Sequence, residues 1–261
     1  LYKISKEGFS KMKEKIYTIP VNEAYEIDCE CPLCKLEEQL ENEALDYALG
    51  AAMMEPDYRV ESNSNGYCNK HFGMMFSRPN KLSLALVLDT HLEEIRKRLA
   101  KFDKESAALE KAKSSIFKKS GAGEIAAKIK DELNEIQSGC MVCQKINNTM
   151  ERYADVLLYM WANDNEFKEK FDRSKGVCLK HMELLLSMCT KSLNDKQSGA
   201  FIAALCKKQS EELARIQEDI HKFTLKFDYR YTNMEWGTAQ DAPVRTIEKI
   251  SGRINTEDKQ E

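Results

Sequence analysis

Four short motifs in this chain place cysteine and histidine three residues apart, a spacing that suits metal coordination. Two are Cys-x-x-Cys pairs, and two are Cys-x-x-His pairs that each end the pattern Ser-x-Gly-x-Cys-x-Lys-His. The residues of the four pairs are Cys31, Cys34, Cys68, His71, Cys140, Cys143, Cys178 and His181. Two ligands at this spacing, in a knuckle or a first helical turn, can face one ion.

The motifs recur in the same order, which indicates a tandem duplication. Cys34 and Cys68 are separated by 34 positions, and Cys143 and Cys178 by 35. The first pair of each half is offset by 109 positions and the second pair by 110. Because internal repeats outrank local patterns in reading a fold, we predict two related units, at residues 12–121 and 122–230. Residues 231–261 form a C-terminal extension with a short helix at 242–251.

Each unit supplies three thiolates and one imidazole, which is a complete tetrahedral set for structural Zn²⁺. The simplest prediction is that each half closes its own site. The predicted first site is Cys31, Cys34, Cys68 and His71. The predicted second site is Cys140, Cys143, Cys178 and His181. Lys70 and Lys180 lie between the ligands, where they either donate to metal thiolates and offset the negative charge of the centre or remain solvated.

Two other uses of these cysteines compete with zinc. Cys-Pro-Leu-Cys at residues 31–34 resembles a dithiol redox motif, but that chemistry needs a βαβ setting, and no strand–helix–strand pattern occurs in the sequence. Cys₃His sets also suit iron–sulfur clusters, so two iron–sulfur centres are the alternative to two Zn²⁺ ions. For the other cysteines we expect core positions for Cys189 and Cys206 and no role for Cys29. His91 and His221 are expected at the surface or at the edge of a helix seam.

Helical periodicity surrounds the motifs. Apolar residues follow each Cys-x-x-Cys pair at helical spacing, so each pair lies at a helix N-terminus, where the helix dipole favours thiolates. Gly66 and Gly176 are expected to take a backbone conformation that other residues resist, so that each Cys-x-x-His pair opens the next helix.

Each Cys-x-x-His pair leads into a long helix with an apolar stripe. In the first half the stripe, broken by Ser106 and Lys113, runs through Leu88, Leu92, Ile95, Leu99, Phe102, Leu109 and Ile116. In the second it runs through Ile202, Cys206, Gln209, Leu213, Ile216, Ile220, Phe223 and Phe227. Such seams need a partner helix. We expect the two halves to pair in a pseudo-two-fold, all-α bundle, and a homodimer is the alternative.

Composition limits the class of protein. The chain has 261 residues, a net charge of −3 and 32% charged residues with only 5 prolines, which favours long solvated helices. No segment has the roughly 18 apolar residues of a membrane span, and no signal peptide is recognised, so we expect a cytoplasmic protein. Residues 1–11 are expected to be an extension upstream of Met12. The acidic balance makes nucleic acid an unlikely partner despite a basic stretch at 111–120.

Three stretches resemble a known family. "DCECPLCKLEEQLENEALDYALG", "SNGYCNKHF" and "DAPVRTIEKISG" are similar to a bacterial domain-of-unknown-function family of helical proteins with tandem CPxC and GxCxxH motifs. The resemblance runs from about Met12 to Gly252 and implies a helical fold but no assigned activity.

The function expected from the sequence is that of a zinc-binding scaffold or adaptor that contacts other proteins. No phosphate loop, nucleophile elbow or HExxH motif occurs in the sequence, which favours a non-enzymatic protein. The alternative is a redox-responsive or electron-carrying protein with thiolate-ligated zinc or iron–sulfur centres.

Overall fold

The computed structural model of the protein describes residues 16–111, 121–231 and 233–254. Every regular element in these ranges is a helix, and they contain no strand. The predicted all-α class is therefore confirmed. The expectations for residues 1–11, for the basic stretch from residue 112 to 120 and for residues 255–261 lie outside the described residues.

Eleven helices are described, numbered here in chain order. They are α1 (16–24), α2 (Pro32–Leu49), α3 (Pro56–Asn65), α4 (Asn69–Ser77), α5 (Lys81–Lys111), α6 (Ala122–Ser138), α7 (Met141–Asn163), α8 (Asn165–Arg173), α9 (Leu179–Ser192), α10 (Asp195–Leu225) and α11 (Ala242–Ser251). Short 3₁₀ turns lie at Ala51–Met54, Tyr229–Tyr231 and Gly237–Ala239.

The chain divides into two compact units whose bounds differ from the predicted domains. Of the described residues, the first unit comprises 16–39 and those from Asn147 to 254, and the second comprises those between Leu40 and Ile146. Helices α2 and α7 each begin in one unit and end in the other. The predicted units at 12–121 and 122–230 therefore follow the repeat of the motifs in the sequence. The compact units of the structure have different bounds.

In the second unit, α5 packs against α3 and α6. Leu84 and Val87 are buried on the packed face of α5, and farther along Arg98 forms an ion pair with Glu132 of α6. Leu88 and Leu92 are 43% and 58% exposed. The predicted stripe is therefore wrong at these two leucines, where the buried face of α5 runs one position earlier, but it is right at Phe102, which is buried.

In the first unit, α10 packs against α9 and α11. Phe201 and Leu205 are fully buried, and the ring of Phe201 meets that of Trp161 edge-on, with centroids 5.1 Å apart. The predicted stripe is shifted by one position from this buried face at Ile202 and Cys206, but it is right at Gln209 and Ile216, which are buried. Both long helices thus pack on neighbours within their own unit, and a pseudo-two-fold relation between the halves stays a prediction.

Candidate metal centres

Two groups of four side chains lie close enough to hold one metal ion each. Centre A consists of Cys31, Cys34, Cys178 and His181. Centre B consists of Cys68, His71, Cys140 and Cys143. Within each centre the four ligand atoms lie within 4.8 Å of one another. All eight predicted ligands lie in these two centres.

The predicted pairing of the motifs is wrong. Each centre combines the Cys-x-x-Cys pair of one half with the Cys-x-x-His pair of the other half, so neither half closes a site by itself. Centre A lies within the first compact unit and centre B within the second. The compact units therefore follow the metal centres and not the sequence repeat.

Helix length explains why a half does not close its own site. Helix α2 ends at Leu49 and so carries the chain about 22 Å beyond Cys34, at about 1.5 Å per residue. The following helix α3 has 10 residues and returns at most about 15 Å. In the second half α7 has 23 residues and α8 only 9, so Cys178 likewise falls short of Cys143.

All four motifs use the same local geometry. In each, the first cysteine directly precedes the first helical residue and its partner is the third residue of the helix. The helices concerned are α2, α4, α7 and α9. A side chain at the N-cap position folds back over the third residue of its helix, so both members of a pair face one point. Two positive helix ends then meet at each centre, where they stabilise thiolate charge.

The two Ser-x-Gly turns adopt the predicted conformation. Gly66 has a φ of 62° and Gly176 a φ of 73°, in the region that disfavours side chains. Each glycine leads into an extended cysteine at the N-cap, with ψ of 165° at both Cys68 and Cys178. The turn therefore aims each Cys-x-x-His pair at its centre.

The distances fit a tetrahedral ion. Zn–S bonds of about 2.3 Å and Zn–N bonds of about 2.0 Å place tetrahedral sulfurs about 3.8 Å apart and sulfur about 3.6 Å from nitrogen. The Sγ atoms of Cys34 and Cys178 are 3.6 Å apart. Those of Cys68 and Cys143 are 3.8 Å apart. The histidine Nδ1 atoms lie 3.2–3.4 Å from the sulfurs of their centres.

The same distances favour one ion over an iron–sulfur cluster. A cluster distributes its ligands over two or four irons, which spreads the ligand atoms well beyond the spacing of a single coordination sphere. Here every ligand atom lies within 4.8 Å of the other three. The donor set, three thiolates and one imidazole, matches structural zinc.

In centre B a thiolate and an imidazolium lie side by side. Burial opposes the protonation of His71, but hydrogen bonds with Cys140 and Glu41 raise its pKa to about 9. Burial also opposes the ionisation of Cys140, but His71 and backbone N–H groups lower the pKa of Cys140 to about 6. Burial and the adjacent Cys140 raise the pKa of Cys143 to about 12. A dication would relieve the repulsion that keeps Cys143 protonated.

Centre A likewise combines a cysteine whose pKa is lowered with a histidine whose pKa is raised. Hydrogen bonds from Cys31 and Cys34 lower the pKa of Cys178 far below its usual value, against the effect of burial. Burial opposes the protonation of His181, but Cys178, Cys34 and Glu37 raise its pKa to about 11. Burial keeps the pKa of Cys31 well above its usual value. In each centre a bound cation would therefore displace protons from the cysteine and the histidine whose pKa values are raised.

A glutamate lies behind each histidine. The Nε2 of His71 is 2.9 Å from a carboxylate oxygen of Glu41, and the Nε2 of His181 is 3.4 Å from one of Glu37. Since Nδ1 faces the thiolates, the Nε2–H of His71 donates to Glu41, an arrangement that fixes the ring and strengthens it as a ligand; at His181 the carboxylate lies near Nε2 without a hydrogen bond.

Lys70 and Lys180 complete these chains of contacts. Lys70 donates to Glu41, and Lys180 donates to Glu37. Burial would raise the pKa of Glu37, but His181 and Lys180 lower it to about 2. The two lysines therefore neutralise the glutamates behind the histidines, which the sequence analysis did not anticipate.

The segment before each Cys-x-x-Cys pair differs between the centres. In centre B an added Cβ at Gly139 would lie 2.1 Å from the carbonyl oxygen of Asn65, so only glycine permits this approach. The N–H of Met141 then donates to the carbonyl of Gly66 over 3.1 Å. This bond ties the two motifs of centre B together through the backbone.

In centre A the position that corresponds to Gly139 is Glu30, a buried carboxylate. Arg215 donates to it over 2.6 Å, and Arg245 and Lys249 approach to 3.6 and 3.7 Å. Lys249 is fully buried and donates to the carbonyl of Glu30 over 2.9 Å. Side chains from α10 and α11 thus hold the loop before Cys31.

The C-terminal helix ends beside centre A. Gly252 follows α11 with a φ of 88° and is buried. A Cβ built on it would lie 3.9 Å from the Sγ atoms of both Cys178 and Cys34. Helix α11 therefore covers the thiolates of centre A.

The remaining cysteines and histidines stay outside the two centres. Cys189 is buried, as predicted for a core residue, whereas Cys206 is exposed, so the core prediction for Cys206 is wrong. His221 is exposed. His91 is only 9% exposed and contacts the carbonyl of Asn63 over 2.7 Å, so the surface prediction for His91 is also wrong.

Sequence reasoning missed the residues that support the ligands. Glu37 and Glu41 lie one turn apart on α2, where they read as part of an ordinary acidic helix face. Glu30 and Lys249 are also charged residues in ordinary sequence contexts. Only Glu37 and Glu41 had a recognisable sequence signal. They follow Cys34 by three and seven positions and so lie on the same face of the helix.

Comparisons with known proteins place this chain in a family. No helix in the described ranges is long and apolar enough to cross a membrane. Neither the curated proteins nor the solved structures gave a match to this chain. A family model described as a family of unknown function matches residues 12–257. The chain therefore belongs to this family, DUF6062, whose function is not assigned.

Proposed function

We propose that this protein is a zinc-binding helical scaffold that acts through contacts with other proteins. In this proposal one Zn²⁺ in each centre fixes the ends of two helices. Structural zinc supplies about 10 kcal/mol or more of apparent binding free energy, comparable to the whole stability of a typical domain. The two ions would thus decide whether the helices keep their arrangement.

The closed ligand set of each centre carries the proposal. A catalytic zinc has three protein ligands and keeps a fourth position for water or substrate, whereas a structural zinc has four. Both centres offer four ligand atoms within 4.8 Å of one another. A structural ion is therefore favoured over a hydrolytic one.

Metal content tests this proposal. We would measure zinc, iron and acid-labile sulfide in protein purified without oxygen, together with its visible spectrum. Two zinc ions per chain and no absorption near 400 nm are expected. Iron with sulfide would favour the electron-carrying alternative, and folded protein without metal would contradict the proposal.

Exposed leucines at the start of α5 support a role in protein contact. Leu82, Leu86, Leu88 and Leu92 are 72%, 44%, 43% and 58% exposed. Clustered exposed apolar side chains are typical of interaction surfaces. The Leu82–Leu92 segment of α5 is accordingly the surface that we assign to a partner protein or to a second copy of the chain.

Site-specific photo-crosslinking tests the assignment. A photoreactive amino acid at position 82 should give a discrete adduct with one protein partner or with a second copy. The same probe at position 104, an exposed polar position on the same helix, is the control. Adducts from position 104 and none from position 82 would contradict the assignment.

A further inference from the structure

Solvent reaches the two centres to different extents. In centre A, Cys31, Cys34, Cys178 and His181 are 4%, 7%, 0% and 1% exposed. In centre B, His71 and Cys140 are buried, but Cys68 and Cys143 are only partly buried. The ligand types and their local geometry are the same, so the covering structure makes the difference.

Centre A has a cover that comes from the C-terminal helix. Gly252 lies against the sulfurs of Cys178 and Cys34, and Lys249 is fully buried beside it. Lys249 also donates to the carbonyl of Lys175, the residue directly before Gly176. Helix α11 therefore limits the approach of a reagent to these sulfurs.

The two accessible sulfurs of centre B are neighbours. The Sγ atoms of Cys68 and Cys143 are 3.8 Å apart. A disulfide needs a separation of about 2.05 Å, so the two sulfurs must approach by about 1.8 Å once the ion between them leaves. Reactivity of cysteine follows thiolate character and exposure. A bound dication makes thiolates of all its cysteine ligands, so exposure is the property that singles out this pair.

We propose that Cys68 and Cys143 form an oxidisable thiolate pair, and that peroxide releases the metal of centre B while centre A keeps its metal. This inference rests on the proposed zinc-binding function and assigns a chemical regulation to one of its two sites. The substrate class is a small peroxide that reaches the exposed sulfurs.

The reaction balances as a two-electron oxidation. One thiolate attacks a peroxide oxygen, so that an S–O bond forms, the O–O bond breaks and hydroxide leaves. The second thiolate attacks the resulting sulfenic acid, so that the S–S bond forms, the S–O bond breaks and a second hydroxide leaves. The two sulfurs lose two electrons, and the peroxide gains them. The Zn²⁺, left with Cys140 and His71, dissociates without changing its oxidation state.

The test uses the unaltered full chain loaded with zinc. Its zinc content is measured first. Hydrogen peroxide is then added, zinc release is followed with a chromogenic chelator, and the oxidised cysteines are mapped by differential alkylation and mass spectrometry. One zinc should leave at least about tenfold faster than the other, together with a Cys68–Cys143 disulfide.

Two single variants serve as a matched pair. Cys143→Ser should remove the fast phase and leave the slow one, whereas Cys34→Ser should remove the slow phase and leave the fast one. If a variant does not fold, the disulfide map of the unaltered chain decides alone. Equal release rates, or oxidation of centre A first, would overturn the inference. Absence of zinc before peroxide is added would instead contradict the proposed function.

Discussion

Glu37 and Glu41 extend the candidate centres at the scale of single residues. A carboxylate oxygen of each glutamate lies near the histidine Nε2, the ring nitrogen that does not face the thiolates. Such partners commonly contribute about 10–100-fold to metal affinity. The ligands alone therefore do not account for the strength of either centre.

Glu41→Gln tests this contribution. The amide keeps the shape of the side chain but loses the charge that favours His71 as a ligand and that pairs with Lys70. The zinc affinity of centre B should fall about tenfold, measured by competition with a chelator of known affinity. Glu43→Gln, at an exposed position of the same helix, should leave the affinity unchanged. Equal losses in the two variants would contradict the role of Glu41.

The pKa shifts predict a pH dependence of metal binding. At pH 7 His71, with a pKa of about 9, and Cys143, with a pKa of about 12, carry protons that a metal ion must displace. Binding at centre B should therefore release at least about two protons, and its affinity should rise with pH between about 6 and 9. Calorimetry in buffers of different ionisation enthalpy measures the released protons. Binding without proton release would contradict these assignments.

The ligand types and their three-residue spacing were predictable residue by residue. The local pattern alone sets this geometry, because an N-cap residue and the third helical residue always face the same point. The partners behind the ligands were not predictable. A glutamate on α2 becomes a partner of His71 only when two helices meet, and no local pattern encodes that meeting.

Helix ends organise the molecule at the scale of elements. Both centres form where two helices start, and α11 ends beside centre A with Gly252 in a conformation that favours glycine, at φ 88° and ψ −170°. Asp241 precedes α11, and Pro243 lies in its first turn, which is the pattern of a helix start. The short C-terminal helix thus has local signals at both ends.

Gly252→Ala tests the cover of centre A. The substitution should lower the free energy of unfolding by about 1–3 kcal/mol, because a side chain strains this backbone conformation. Gly199→Ala is the control, since a Cβ there meets nothing within 4 Å and helix propensity should stabilise the protein by about 0.5–1 kcal/mol. Urea unfolding of zinc-loaded protein measures both. A neutral Gly252→Ala would contradict the proposed strain.

The long helices and the later parts of their buried faces were predictable, but the phase of those faces near the helix starts was not. On α10 the buried positions include Ser198, a polar residue that the predicted stripe omits. The Ser198 hydroxyl donates to the carbonyl of Cys189 over 3.1 Å. Such a bond satisfies a buried polar group and lets the packed face pass through a residue that a hydrophobic pattern assigns to solvent.

At the scale of the whole molecule, the metal ions join segments that are distant in sequence. Centre A links the loop before α2 to the start of α9, and centre B links the start of α4 to that of α7. Each ion therefore closes a long loop, and its removal should cost more than the loss of local contacts.

Removal of zinc should strongly destabilise the fold. A strong chelator under reducing conditions should lower the urea midpoint of unfolding and the helical circular dichroism signal, since metal binding free energy is part of folding free energy. Re-addition of zinc should restore both. An unchanged midpoint in chelator would contradict a structural role for the ions.

The eight ligands were predictable from the sequence, whereas the exchange of motifs between the halves was not. Both pairings use the same residue types at the same local spacing, so ligand chemistry does not distinguish them. The decisive quantity is the length of the helix after each Cys-x-x-Cys pair. Helix α2 is longer than the helix α3 that follows it. This difference in length could be estimated only once the bounds of both helices were known.

Cadmium NMR tests the exchanged pairing most directly. In protein reconstituted with ¹¹³Cd, each cadmium resonance correlates with the Hβ protons of the cysteines that bind it. We predict two resonances, one correlated with Cys31, Cys34 and Cys178 and the other with Cys68, Cys140 and Cys143. A resonance that joins Cys31 and Cys34 to Cys68 would contradict the pairing, and folded protein that binds no cadmium would contradict the metal centres themselves.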